Sequence, residues 1–336
     1  MRAVLFRGPG PPGRLRLTEL PDPVPRPGEA LIQIRAAGVN FADVLARQGL
    51  YPRAPRSPYI PGFESSGEVL ALGEGTNGLR VGDRVVCFHA GGGYAERVAV
   101  PAWSTILIPA ALSHQAAVVL PLNYGTAYTA LHRTGPAEPG MRVFIHAAAG
   151  GVGMAAVDLA RRAGLEIVGA ASTHFKRERL LAEGVKHVVP SRRLSVDRVA
   201  RGLYDGAGFD IVLDSVGGRG IRSGLRALRP GGRLVSFGVG ALSGGGILGA
   251  IRFLLSTPRT SYLDLLTESR GIYGVNLRRL LANPAATRRI LEELVALATT
   301  EEIHPEPGRV LPLSEAAEAH RLLESRRNVG KIVLRP

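Results

Sequence analysis

A two-domain α/β chain, with an irregular β domain leading into a parallel sheet flanked by helices, is predicted by three features of the sequence. β-prone runs with turn punctuation fill the chain up to about residue 120. From about residue 123 strands alternate with helices, the texture of βαβ units. The length of 336 residues exceeds one small domain, and a hydrophobic content of 45% can fill two cores.

The first domain is read from the segments Ala30 to Ala36, Ser66 to Leu72, Asp83 to Phe88 and Ala95 to Val100, each bounded by Gly, Pro or Asp. Strands of the second are expected at Arg142 to His146, Glu166 to Ala171, His187 to Val189, Phe209 to Asp214, Arg233 to Phe237 and Gly271 to Val275. Val152 to Ala163 repeats apolar residues on one helical face and supplies the first crossover. Six parallel strands with right-handed crossovers place a ligand at the strands' carboxyl ends. The chain closes with a helix from Pro284 to Ala298, a strand near Arg309 to Leu311, a helix from Ser314 to Ser325 and a strand at Lys331 to Leu334. That tail is expected to return to the first domain, giving domains of 1–122 completed by 300–336, and 123–299.

Composition excludes several classes. The longest apolar run, Gly244 to Ser256, is cut by Arg252 and falls short of the roughly 20 residues of a membrane helix. Val4 to Phe6 is too short for the apolar region of a secretory signal, so a cytoplasmic location is expected. Cys87 is the single cysteine, and the eight histidines show no ligand spacing, so no metal is expected. A net charge of +14 and a pI near 10.8 would suit an acidic partner such as RNA or anionic lipid. The basic residues are nevertheless scattered, with only short clusters at Arg192-Arg193, Arg278-Arg279 and Arg326-Arg327.

The central motif is His146-Ala-Ala-Ala-Gly150-Gly151-Val152-Gly153, between a predicted strand and a predicted helix. Such a turn binds a diphosphate because its backbone N–H groups and the helix dipole meet the oxygens, and each glycine removes a Cβ that would block approach. Ala148 takes the first glycine position of G-x-G-x-x-G, while Gly150 and Gly153 keep the others. A dinucleotide is the expected ligand. The next strand ends Ala170-Ala171-Ser172-Thr173-His174-Phe175-Lys176-Arg177, with no carboxylate before Glu178. An NAD ribose would need that carboxylate, whereas a 2′-phosphate needs cations and hydroxyls. Ser172, Thr173 and Lys176, with Arg177 as a second cation, therefore point to NADPH. The alternative is a solvated helix start.

Gly38 to Tyr51, Pro61 to Gly67, Val81 to Val85 and Ala147 to Gly153, in that order, resemble the medium-chain dehydrogenase/reductase superfamily, and within it the zinc-independent quinone oxidoreductases. Asn40 to Tyr51, Gly151 to Val157 and Asn328 to Lys331 extend the resemblance to the VAT-1-like branch. It implies a GroES-like β domain, a Rossmann doubly wound sheet and an active-site cleft between them. Asn40 and Phe63 stand where zinc-using relatives carry a cysteine and a histidine, and the four-cysteine lobe is missing.

The same resemblance implies site residues. Asn40 and Tyr51 would lie beside the nicotinamide and orient substrate, with Thr126 and Tyr128 on the other wall. Ser215, then Phe237, Gly238 and Val239, match cofactor-lining segments; Val275 and Asn276 would approach the nicotinamide amide, and Lys331 matches the family's terminal Gly-Lys. An ordinary core tyrosine is the alternative for Tyr51, satisfaction of local backbone groups for Asn40, and a surface lysine for Lys331. Leu45 and Ser191 replace tyrosines common in the family and leave substrate choice open. The implied reaction is hydride transfer from NADPH to a quinone or enone, whose anion hydrogen-bond donors stabilise.

Ala241 to Leu266 is expected to place Ile247, Leu248, Ile251, Phe253, Leu254 and Leu255 on a glycine-led helix, as a substrate cover or a subunit interface. A homodimer through the sixth strand is the favoured reading. No tyrosine has a lysine four residues on, no G-x-S-x-G elbow occurs and no phosphate loop of the G-x-x-x-x-G-K type is present. The competing reading is a nucleotide-binding protein that acts by binding a lipid surface or RNA, drawn from the basic charge and residues 247–255.

Overall fold

The computed structural model describes residues 1–51, 55, 57–191, 195–242 and 246–336, with the backbone alone at 246–248 and 250. Arg192 and Arg193, and the side chains of Ile247 and Leu248, lie outside the described residues. The chain divides into two compact units, Met1–Gly125 with Arg278–Pro336, and Thr126–Leu277.

The first unit opens with β1 (Arg2–Phe6) and β2 (Leu15–Glu19), paired antiparallel. β3 (Glu29–Val39), α1 (Phe41–Arg47), β4 (Glu64–Leu72), β5 (Arg84–Phe88), β6 (Arg97–Pro101) and β7 (Thr105–Leu107) follow. Alternation in β3 sends Ala30, Ile32 and Ile34 inward, where they meet Val69, Val85, Val98 and Val100. The chain continues through α2 (His114–Ala117), a wide turn at Leu120–Tyr124 and α3 (Gly125–Tyr128).

The second unit alternates strand and helix: β8 (Arg142–Ile145), α4 (Gly151–Arg162), β9 (Glu166–Ala171), α5 (His174–Ala182), β10 (His187–Pro190), α6 (Val196–Tyr204), β11 (Phe209–Asp214), α7 (Arg219–Arg226), β12 (Leu228–Ser236), α8 (Gly246–Ser256), α9 (Tyr262–Thr267) and β13 (Gly271–Gly274). The six strands pair in parallel in the order β10-β9-β8-β11-β12-β13. Val143, Phe144 and Ile145 are all buried, the continuous apolar run of a strand covered on both faces. Phe144, Val168, Phe209, Val212 and Leu234 form one core.

Ile247, Leu248, Ile251, Phe253, Leu254 and Leu255 all fall on α8, as expected, and α9 follows it as a separate helix. Pro258 follows α8 and has no N–H to continue it, while the Ser256 and Thr257 hydroxyls donate back to the Phe253 carbonyl. Ser261 then caps α9 by accepting from the Leu263 N–H. Phe253 packs on Gly217, where a Cβ would come within 2.7 Å of the ring. Leu254 and Leu255 stay 70% and 81% exposed.

The chain returns through α10 (Leu277–Leu280), α11 (Pro284–Thr299), β14 (Pro307–Pro312), α12 (Ala316–Glu324) and β15 (Lys331–Arg335). Helix α11, expected with the second domain, belongs to the first unit. Its buried stripe of Thr287, Ile290, Leu291 and Leu294 packs beside β7 and the turns at 102–104 and 120–124. β15 pairs antiparallel with β3, and β14 lies beyond it in parallel, so the C-terminal segment extends the sheet begun by β3. Among the described residues no helix is long and apolar enough to cross a membrane.

Phe209 is fully buried between Phe144 and Tyr204, with ring centroids 5.4 and 5.5 Å away. Phe209→Ala is expected to destabilise the second unit by about 3–5 kcal/mol, measured by urea unfolding, because the cavity adds to the lost transfer energy.

Candidate functional site

The glycine-rich segment is a strand-to-helix turn at the carboxyl end of β8. Ala147 has φ +48°, and the Gly150 N–H closes the turn on the Ala147 carbonyl at 2.8 Å. Gly150 is extended and supplies no side-chain cap to α4. The first-turn N–H groups of Gly151, Val152 and Gly153 therefore lack both an intrahelical partner and a side-chain oxygen. A Cβ on Gly153 would meet the Ala147 and Ala148 carbonyl oxygens at 2.4 and 2.5 Å, so only glycine lets α4 start this close to the turn. Ala148, in place of the first glycine, is buried and donates its N–H to the Ala170 carbonyl. This turn has the space and the donors to take a dinucleotide diphosphate.

Neighbouring strand ends converge on the same edge of the sheet. Ser215 Oγ donates to the His146 carbonyl at 3.4 Å, and a Cβ on Gly238 would lie 2.5 Å from the Ser215 carbonyl oxygen. Phe237 and Val239 are half-buried, Val275 is buried and Asn276 exposed. Asp214, at the end of β11, accepts from the Val216 and Gly217 N–H groups and from Ser236 Oγ, which fixes the turn after that strand. The buried His146 Nε2 lies 4.0 Å from Asp214, and burial holds the imidazole pKa below its ordinary value. His146 and Asp214 were visible in the sequence as motif and strand-end residues, without a role. Thr126 and Tyr128 are buried in α3, with the Tyr128 ring 5.2 Å from that of His132.

At the end of β9, Thr173 caps α5 by accepting from the Lys176 N–H at 3.3 Å, and Ser172 is half-buried. Lys176 is buried rather than a solvated helix residue. Phe175 beside it is 68% exposed.

In the first unit, Asn40 stands just before α1. Its N–H donates to Asp43 Oδ2 at 2.8 Å. Its side chain does something else: Nδ2 donates to Glu64 Oε1 at 2.8 Å, and Oδ1 accepts from Lys331 Nζ at 2.6 Å. Lys331 also ion-pairs with Glu64 and donates to Asn123 Oδ1 at 3.3 Å, while the other Glu64 oxygen accepts the Leu122 N–H. Lys331 is thus a buried structural cation and not a surface lysine. Sheet register makes the cluster: Ile332 lies opposite Val39, so Lys331 falls beside Asn40. Gly38 leaves room for Glu64, whose carboxylate would otherwise touch a Cβ at 2.3 Å. Neither Glu64 nor Asn123 was singled out by sequence, although Glu64 sits inside the Pro61 to Gly67 run.

A second buried chain reaches the same place. Arg47 pairs with Glu324 and donates through Nε to His320 Nδ1 at 3.2 Å. Burial, with Arg47 beside it, pushes the His320 pKa down to about 3, so the ring is neutral and its Nε2–H is left to donate to the Tyr94 hydroxyl at 3.3 Å. Tyr94 in turn hydrogen-bonds Asp43, whose Oδ1 accepts the Gly62 N–H at 3.0 Å. Burial pushes the Asp43 pKa up to about 7 against the lowering effect of those amides and of Lys331. Tyr51 is half-buried, its ring 6.1 Å from that of Phe63 and 5.9 Å from the Arg278 guanidinium.

Comparison with known proteins matches residues 26–110 to the alcohol dehydrogenase GroES-like domain and residues 183–334 to the zinc-binding dehydrogenase family. The human synaptic vesicle membrane protein VAT-1 homolog is 36% identical, over all of this chain and 86% of its own length. The chain belongs to the medium-chain dehydrogenase/reductase superfamily. Within the superfamily it is quinone-oxidoreductase-like. Escherichia coli quinone oxidoreductase, solved with NADPH, superposes with a TM-score of 0.88 at 28% identity, and a mycobacterial protein solved with NADPH with 0.89 at 32%, both over the full length of both chains.

The superfamily's zinc does not suit the donors of this member. Among the described residues no three His, Cys, Asp or Glu side chains converge as a metal site requires. At Asn40 the place near a ligand is taken by the Lys331 ammonium, and Phe63 is a buried ring under the Arg278 guanidinium, 4.9 Å away.

Asp43 gives this cluster a pH signature. A carboxyl with its native pKa raised holds a proton that the unfolded chain has released, so its contribution to stability falls as pH rises from the ordinary carboxylate range to about 7. The stability of the wild type minus that of Asp43→Asn is expected to decline across that window in chemical unfolding. A difference independent of pH contradicts the assignment.

Proposed function

We propose that this chain is a zinc-independent, NADPH-dependent reductase that transfers hydride to a quinone or an α,β-unsaturated carbonyl compound. The observation that carries the reading is the uncapped first turn of α4, with Gly153 seated on the Ala147 and Ala148 carbonyls at the carboxyl end of β8. Support for NADPH comes from the relatives solved with it and from the absence of a carboxylate between Ser172 and Arg177.

In this reading the Gly151, Val152 and Gly153 amides take the diphosphate, Ser172, Thr173 and Lys176 the 2′-phosphate, and Ser215, Phe237, Gly238 and Val239 line the dinucleotide. Val275, Asn276, Thr126 and Tyr128 belong to the nicotinamide end. NADPH, when bound, supplies the hydride. Asn40 and Tyr51 orient the acceptor. With Oδ1 held by Lys331 and one amide hydrogen by Glu64, Asn40 has a second N–H to donate to the oxygen on which negative charge develops. Lys331 and Glu64 act through Asn40, as positioning residues, because a rotating amide would lose that aim. Water supplies the proton that completes the reduced product.

The test is NADPH consumption across a panel of quinones, cyclic enones and 2-alkenals. Turnover is expected in the wild type, and Gly153→Val is expected to lose binding of NADPH and NADH alike in calorimetry. Intact NADPH binding with no turnover on any acceptor overturns the reductase reading. Lys176→Ala is expected to weaken NADPH by about tenfold or more with little change for NADH, since only the former carries the 2′-phosphate. Equal losses would remove Lys176 from that role.

A further inference from the structure

Helices α6, α7 and α8 border an open concavity of about 780 Å³ in the second unit. Among the described residues six arginines line it: Arg198, Arg201, Arg219, Arg222, Arg226 and Arg252, all solvent-exposed. Among the described residues Asp197 is the one carboxylate in the lining, and it is already engaged, accepting from Arg201 at 3.2 Å and from the Ser195 hydroxyl. Among the described residues no carboxylate pairs with the other five guanidinium groups.

The spacing concentrates this charge. Arg219, Arg222 and Arg226 fall three and four residues apart on α7, and Arg198 and Arg201 three apart on α6, so like charges are neighbours on one helix face. That arrangement repels itself, and an anion between the helices relieves it. Guanidinium is the side chain whose fork matches phosphate oxygens in pairs. One phosphate would neutralise about two of the positive charges, and the volume admits more than one. Ile251 and Leu255, 49% and 81% exposed, give the same concavity an apolar edge on α8.

We infer that this concavity is a binding site for a ligand carrying two or more phosphate groups, either soluble or presented as a lipid headgroup. It is separate from the turn at Gly150 to Gly153, which contributes nothing to its lining, and does not rest on the dinucleotide reading.

The test is calorimetric titration of the full chain with inorganic tripolyphosphate at low and at moderate salt. Binding is expected, weaker at the higher salt. Arg222→Glu/Arg226→Glu is expected to weaken it by about tenfold or more. Arg222→Gln/Arg226→Gln, which keeps the side-chain bulk, is expected to weaken it less. Vesicles of phosphatidylcholine with phosphatidylinositol bisphosphate distinguish the sources. Flotation with them that is lost in Leu254→Ser/Leu255→Ser assigns a headgroup, and tripolyphosphate binding without flotation assigns a soluble ligand. Affinity unchanged in both arginine double variants, or no binding to either probe, overturns the inference.

Discussion

The second unit depends on one close approach, that of Gly153 to the carbonyls of Ala147 and Ala148. With no side chain there, α4 starts directly above the end of β8 and buries Ala155, Ala156, Val157 and Leu159. A larger residue would push the helix start away from the sheet, and with it the uncapped amides. β8 is also the strand at which the order reverses, with β9 on one side and β11 on the other. In open parallel sheets that reversal opens the crevice in which ligands bind. The positions of Ser215, Gly238 and Val275 at successive strand ends follow from the same geometry.

The first unit is held by buried charge as well as by its apolar core. Lys331 and Arg47 are each almost fully enclosed, and each has a carboxylate partner, Glu64 and Glu324. Replacing such pairs with apolar residues is often neutral, whereas removing one member typically costs about 3–5 kcal/mol because the other is left unpaired. Their contribution here is placement. Lys331 and Glu64 grip both polar atoms of Asn40, and the chain from Arg47 through His320 and Tyr94 ends on Asp43, which holds the Asn40 N–H. The C-terminal strand thus joins the Asn40 cluster through Lys331.

Much of the second unit was legible because its signals are local. Glu166 to Ala171 and Phe209 to Asp214 are strands with the predicted bounds, since short β-branched runs between polar turns have few alternatives. The glycine turn was legible for the same reason. What escaped depends on partners distant in sequence. Lys331 lies 267 residues from Glu64, and only the pairing of β15 with β3 brings them together. Helix α11 reads as one more crossover, and its membership is decided by the surface that meets its apolar stripe. That a second helix, α9, follows α8 was available in the sequence, because Pro258 cannot extend a helix, but hydrophobicity on both sides of it masks the break. Arg2 to Phe6 is too short to stand as an element alone and becomes a strand only beside Leu15 to Glu19.

Reception of the dinucleotide diphosphate by main-chain amides at the start of α4 is the central claim. Amide NMR of glycine-labelled protein tests it most directly, with Gly150, Gly151 and Gly153 followed through an NADPH titration. The predicted result is saturable shifts of these three resonances, with Gly140 and Gly231, glycines of the same unit away from the turn and its neighbouring strand ends, unmoved. NADPH binding that leaves all three in place would contradict the claim.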